Sequence, residues 1–469
     1  MLIKPCFSQT VVNDKVPGKN KCKGKNDKYG RKPVRGRDKE IGDYRKCHKK
    51  DNYIELDSQP VEFPLELFFC SFIHHSYVDA EIKVLDVSVR NCMAMDLLDP
   101  AIKKCGADAF VHYATGEDAD MRYLTRFVMH DSFVFFKRQK QPGTIIVPQM
   151  EAERASRESI TSVMTRTQAG LPDITKKEKN PWKAIAQMIG EQAGKTLLVS
   201  PAFPAILMRA LEEQGQVIVD EGTVGNMRIK KTPDEIRLIK EVQKKTERAM
   251  DLGISLVRHA TIKRGVLYHS DAPLTSELMR NAIHKQLMDD GCRAVETIIS
   301  CGEDTAFPHI IGSGPLKPYM PIVIDMFPRD ESTGYFADMT RTISKGKPSQ
   351  KIVEMFEAVR EAQQIGILHI RSGVAGSEAH NAVVEHFKSR GYESDTRGFI
   401  HNLGHGVGLQ VHELPTIGPS GALLEAGSIV TVEPGLYYPG VGGVRLEDMG
   451  VVRARHFSDF TKFEETLIV

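Results

Sequence analysis

From Pro233 onward the chain runs through one plan twice, and this repetition limits what it can fold into more than any other feature. In the first pass, a helix opening at Pro233 is followed by a second over residues 275–290, stopped by Gly291, and by a strand over 294–300. A pair of strands follows, in which Ile322-Val-Ile-Asp325 answers Asp338-Met-Thr-Arg-Thr342. In the second pass, helices over 350–370 and 377–390, the latter stopped by Gly391, lead through residues 401–412 to a matching pair, Ile429-Val-Thr-Val-Glu433 and Glu447-Asp-Met449. The first helix carries its own start signal. Thr232-Pro233-Asp234-Glu235 combines an N-cap, a first-turn proline and a capping-box glutamate ahead of Ile236, Ile239 and Val242.

Each pass therefore supplies two carboxylates from adjacent strands, thirteen positions apart in the first pair and fourteen in the second. Two such halves related by an approximate two-fold would bring all four acids to a shared centre. An acid at the end of Ile-Val-Ile-Asp or Val-Thr-Val-Glu is about to be buried, and a buried unpaired charge costs several kcal/mol, so each needs a cation or a hydrogen-bond partner. Taken singly, each reads as a strand-end residue or a cap. Taken together, they would repel one another unless cations sit between them. Carboxylates bridging two divalent ions about 3.5–4 Å apart are a recurrent hydrolytic design. An oxygen-rich shell points to manganese, cobalt or iron(II), with zinc also admissible, rather than to a thiolate zinc site. His405, flanked by glycines in Gly404-His-Gly-Val-Gly408, fits a packed loop residue as well as a nitrogen ligand.

Upstream, residues 95–224 alternate helix and strand. Helix is expected over 96–105 and 204–214, and strand over 107–113, 132–137, 144–147, 195–200 and 216–220, with a turn at Gln141-Pro-Gly and a polar segment over 151–179. No catalytic cluster is evident there. Residues 1–50 hold 16 Lys/Arg against 5 Asp/Glu, whereas the remainder holds 47 against 56. Residues 1–94 are accordingly expected to be a basic, disordered extension or sequence ahead of the true start at Met93 or Met95. Without aromatic interleaving, that arm is not expected to bind nucleic acid. The longest apolar stretch, near Pro64–Ile73, is too short to span a bilayer, so no membrane association is expected. Eight cysteines without a CxxC pair fit a reducing cytoplasm.

Asp325, Asp338 within Gly334-Tyr-Phe-Ala-Asp-Met-Thr-Arg-Thr342, His405 within His-Gly-Val-Gly-Leu-Gln-Val-His412-Glu, Glu433 within Val-Glu-Pro-Gly, and Glu447 within Gly-Val-Arg-Leu-Glu-Asp occur in one order and spacing. In this, residues 95–469 resemble the pita-bread metallopeptidases, which include Xaa-Pro aminopeptidases, prolidases and methionine aminopeptidases. The resemblance implies an α/β (α+β) chain: a catalytic pita-bread domain over 225–469 with pseudo-two-fold halves, preceded by a smaller creatinase-like α/β domain over 95–224. It implies two divalent ions, Mn2+ or Co2+ first and Fe2+ or Zn2+ as alternatives. Asp325 would hold one, His405 and Glu433 the other, and Asp338 with Glu447 would bridge both, while Glu433 also helps move protons.

His309, in Phe307-Pro-His-Ile, matches the family's substrate-side histidine, and His412 the one that steadies the reacting carbonyl. Arg445 resembles the arginine that receives a substrate carboxylate or carbonyl, and His401 is a further substrate-side candidate. The segment Ser300-Cys-Gly-Glu-Asp-Thr-Ala306 departs from the family pattern, which leaves side-chain preference at the cleavage site open. The implied activity is hydrolysis of the Xaa-Pro bond at the N-terminus of peptides or in dipeptides, by a homodimer acting on short proline-containing peptides. A methionine or other aminopeptidase, or a non-hydrolytic peptide-binding homologue, is the alternative.

Overall fold

The computed structural model describes residues 97–469, so the expected basic extension over residues 1–94 lies outside the described residues. The first part is a six-stranded sheet in the order Ser162–Thr165, Thr144–Val147, Phe133–Arg138, Ala109–Ala114, Thr196–Val199 and Gln216–Val219. Its central pairings are antiparallel and its outer ones parallel. The strand Phe-Val-Phe-Phe shows why both faces are covered. Phe133 and Phe135 enter one apolar core and Val134 and Phe136 the other, as the two-residue period of a strand requires.

The polar segment 151–179 is not irregular. It holds the helices Ala152–Glu158 and Leu171–Lys177 and the strand Ser162–Thr165. Each of those helices buries a single apolar side chain, Ala155 or Ile174, so no helical period is written in the sequence. In the same part, His112 sits between Ser200 Oγ at 2.6 Å and Asp118 Oδ1 at 2.9 Å. His112 and Ser200 are each 1% exposed, so this Ser-His-Asp set is a brace that joins a strand and the residue after its neighbour strand to a helix cap, and it offers no nucleophile to solvent.

The second part carries the duplicated plan. Helix Pro233–Arg258 starts on the expected capping box, with Thr232 N donating to Glu235 Oε2 at 2.7 Å and Glu235 N donating to Thr232 Oγ1 at 3.3 Å. Together with helix Ser276–Asp289, it covers a core that reaches the strands of the first half. Helices Gln350–His369 and Gly376–Ser389 cover the equivalent core of the second. The expected strand over 294–300 is instead two short pieces, Cys292–Arg293 and Ile298–Cys301, which join different sheets.

The matched acidic pairs form as antiparallel neighbours. Ile322–Met326 lies against Met339–Ile343 with Asp325 opposite Thr340, and Ile429–Val432 lies against Asp448–Val452 with Val432 opposite Asp448. Continued by one residue, the second register sets Glu433 opposite Glu447. In the first, Asp338, one residue ahead of Met339–Ile343, lies two residues from Thr340 and so, with the strand's period continued, on the same face as Asp325. A bridge between Thr340 and Glu447 joins the two halves. Arg341, 1% exposed, fastens that seam by donating to the Thr340, Glu447 and Phe463 carbonyls and to Asp448 Oδ1 at 2.7 Å. No helix among the described residues is long and apolar enough to cross a membrane.

Candidate metal centre

At the seam, one donor atom from each of Asp338, His405 and Glu447 lies within 4.8 Å of the others. Asp338 immediately precedes the strand Met339–Ile343, and Glu447 immediately precedes Asp448–Val452, so two backbone ladders hold the acids at one end of both pairs. His405 occupies the three-residue strand Gly404–Gly406. A Cβ on Gly404 would lie 2.1 Å from the Thr431 carbonyl oxygen, so only glycine lets the strand bearing the imidazole approach its neighbour. His405 Nε2 stands 3.2 Å from Glu433 Oε1 and 3.7 Å from Asp338 Oδ2. Its Nδ1 lies 3.1 Å from the Gly406 carbonyl, which directs Nε2 toward the acids.

Asp325 and Arg445 are paired in the same shell. Arg445 Nη2 donates to Asp325 Oδ2 at 2.6 Å, while Asp325 Oδ1 is buried without a hydrogen-bond partner. Arg445 was expected to face substrate. Arg445 is 4% exposed, and its guanidinium already donates from Nη1 to Tyr437 Oη at 2.9 Å and from Nε to Thr340 Oγ1 at 3.1 Å. His401 Nε2 meets the same tyrosine oxygen at 3.0 Å. His412 is exposed, with its ring edge-on to His405 at 4.3 Å between centroids. His309 is exposed on the turn after Phe307-Pro308.

Four residues of this shell escaped the sequence reading. Thr340 Oγ1 donates to Glu447 Oε2 at 2.8 Å; Thr342 Oγ1 accepts from Arg445 N at 3.0 Å; Thr431 Oγ1 accepts from His405 N at 3.1 Å; and Tyr437 joins His401 to Arg445. The threonines had a usable signal, because residues two or four positions from a strand acid share its face. Tyr437 had none, since it lies on a different strand, Gly435–Tyr438, which pairs with Gly442–Arg445.

The charges explain what such a site needs. Burial, and then the charges of Glu447, Asp325 and Glu433, hold the Asp338 carboxyl well above the ordinary carboxylate range. Burial, and then Glu433 and Asp325, push Glu447 up to about 8. Burial opposes charge on His405 and Glu433 alike, yet their mutual hydrogen bond and attraction raise the imidazole to about 9 and lower the carboxyl. A partnerless buried carboxylate oxygen, two carboxyls whose charge is opposed by burial and crowding, and one oriented imidazole form a donor set that divalent ions fit, and loading them would release protons.

A stability test follows for the chelated protein. A raised His405 contributes stability that is complete below its ordinary 6.5 and lost as pH rises toward about 9. A raised Glu447 contributes stability that is complete below its ordinary 4.5 and lost as pH rises toward about 8. Both act in one direction between pH 6.5 and 8. In the presence of a chelator, the melting temperature should therefore fall over that window, and manganese should reverse the trend by taking the place of the protons. A chelated protein whose melting temperature climbs over the same window contradicts this account.

The family model described as "Metallopeptidase family M24" matches residues 237–454. The Xaa-Pro dipeptidase of Lactobacillus helveticus is 32% identical over 249 residues, covering 52% of this chain and 63% of that protein. The Xaa-Pro dipeptidase of Pyrococcus furiosus is 32% identical over 251 residues, covering 53% of this chain and 67% of that protein. The match thus spans less than two thirds of the Lactobacillus protein. Among solved structures, the Xaa-Pro dipeptidase from Bacillus anthracis superposes with a TM-score of 0.69 at 25% identity, over 81% of this chain and all of that one. The X-Pro aminopeptidase from Thermotoga maritima, at 24% identity and a TM-score of 0.65 over 79% of this chain, shares the fold.

Proposed function

The chain belongs to metallopeptidase family M24, and from that premise we propose that it is a two-metal peptidase that hydrolyses the Xaa-Pro bond of short peptides. The observation that carries the reading is the convergence of Asp338, His405 and Glu447 beside the partnerless Oδ1 of Asp325. Asp325 would hold one ion, His405 and Glu433 the other, and Asp338 and Glu447 both. Manganese or cobalt suits this oxygen-rich set best. Bound there, the ions supply Lewis acidity and a water that ionises near neutral pH.

The chain's own residues supply the remainder. Glu433, whose carboxyl is kept below its ordinary range by His405, would take a proton and pass it to the leaving nitrogen. His412 presents an exposed ring beside His405, where a neutral imidazole N–H can donate to a carbonyl oxygen as negative charge develops. His309 lies on the substrate side. Arg445, His401 and Tyr437 form one hydrogen-bonded string that ends on Asp325, with guanidinium N–H groups left over for a substrate carbonyl or carboxylate.

In this reading, residues 95–224 are a creatinase-like N-terminal domain and residues 225–469 the catalytic domain. The chain works as a homodimer in a reducing cytoplasm, in keeping with the free thiols of Cys105, Cys292 and Cys301. The test is to load purified protein with manganese or cobalt and assay Xaa-Pro dipeptides, Xaa-Pro-Xaa tripeptides and proline-free peptides side by side. Cleavage of the proline substrates, abolished by chelation, is the expected result. Preferential cleavage of N-terminal methionine from proline-free peptides, or no cleavage at all, would overturn the reading.

A further inference from the structure

The loop from His405 to Glu413 carries two of the site's histidines, and its far end is tied down by charge. Glu413, directly after His412, has its carboxylate buried between two cations. Lys231 Nζ lies 2.6 Å from Oε1, and Arg228 Nη2 bonds Oε2. Arg228 also donates to Gln410 Oε1 at 2.8 Å, inside the same loop, and to Asp120 Oδ1 at 2.7 Å, on a helix of the six-stranded-sheet part. The side chains of Arg228, Lys231 and Glu413 are at most 6% exposed. Burial opposes the charge on Glu413, but Lys231 and Arg228 outweigh it and keep the carboxyl below its ordinary range.

The carboxylate also fills the space under Gly408, where an added Cβ would lie 2.3 Å from Oε1. On the backbone, Glu413 pairs with Gly406 across a bulge that follows His405. His412 is thus one peptide bond from a residue fixed through both its main chain and its side chain, while its own ring is exposed and lies edge-on to His405.

We propose that Glu413, clamped by Arg228 and Lys231, is a positioning residue that sets the His412 imidazole, and that Asp120 extends this clamp to the six-stranded-sheet part. The inference rests on the peptidase reading above. A buried ion pair of this geometry contributes little net stability, since desolvation offsets most of the attraction, but it admits one arrangement of the loop. Groups that orient a working side chain from behind typically account for about 10-fold to 100-fold in activity.

The test is a double-mutant cycle on the metal-loaded protein. Glu413→Gln should lower kcat by about 10-fold to 100-fold with KM little changed and metal content retained. The same change made in a His412→Ala background should cost nothing further. Lys231→Met removes one arm and leaves Glu413 paired with Arg228. It should give a smaller kcat loss that also vanishes without His412, and it decides the matter if Glu413→Gln does not fold. Equal losses with and without His412, or an unchanged kcat in both single variants, overturn the inference while leaving the peptidase reading intact. A wild-type chain that cleaves no Xaa-Pro substrate overturns both.

Discussion

Replacing either bridging acid, Glu447→Gln or Asp338→Asn, should abolish peptidase activity and reduce the bound metal below two ions per chain, with the fold intact. Both acids are buried at the seam, at 2% and 4% exposure, and each isosteric amide keeps the volume while removing a charge. Burial and neighbouring carboxylates oppose the charge on both groups and raise both carboxyls above the ordinary range. A neutral amide never takes on that opposed charge, so the metal-free variants should melt no lower than the chelated parent. The lost interaction is with the ions. Metal assistance supplies several kcal/mol of transition-state stabilisation, which corresponds to a rate loss of about 10³-fold or more. Metal analysis of the purified variants beside a tripeptide assay decides it. Full activity in either variant would exclude a two-metal mechanism.

The second large effect is expected at His412, where chemistry and metal holding should separate. If the imidazole donates to the carbonyl oxygen only as charge develops, His412→Ala removes an interaction made mainly in the transition state. The turnover rate should then drop by about 10²–10³-fold with KM less affected and both ions retained. His405→Ala is the companion variant. Its ring lies 4.3 Å from His412 but 3.2 Å from Glu433, so it should lose metal along with rate. Loss of an ion from the His412 variant would make that residue a ligand, and an unchanged rate would make it a bystander.

Both expectations start from residues legible in the linear sequence, and the reason is local periodicity. An acid at the end of Ile-Val-Ile or Val-Thr-Val marks a strand about to bury a charge, and two helices ahead of each strand pair mark the repeat. The capping box at Thr232 and Glu235 formed as read, because its partners lie three residues apart. Where no period is written, the reading stopped. Helices Ala152–Glu158 and Leu171–Lys177 pack by one apolar residue each, and the expected strand over 294–300 breaks where Cys292–Arg293 turns to pair with Arg329–Asp330.

The sequence by itself determined the duplicated plan, the four acids and the histidine between glycines, since each is a pattern over a few residues that one chain segment expresses alone. Tertiary structure decided the use of those residues. It set Arg445 against Asp325, 120 positions away, and so gave a residue proposed to meet substrate a hydrogen bond to one of the acids. It brought Arg228 to Glu413 across 185 positions, and Asp120 to Arg228 across 108, which ties the six-stranded-sheet part to the loop bearing His412. No local propensity or spacing specifies such pairs. They form because each buried charge must find a partner once the two cores have closed around it.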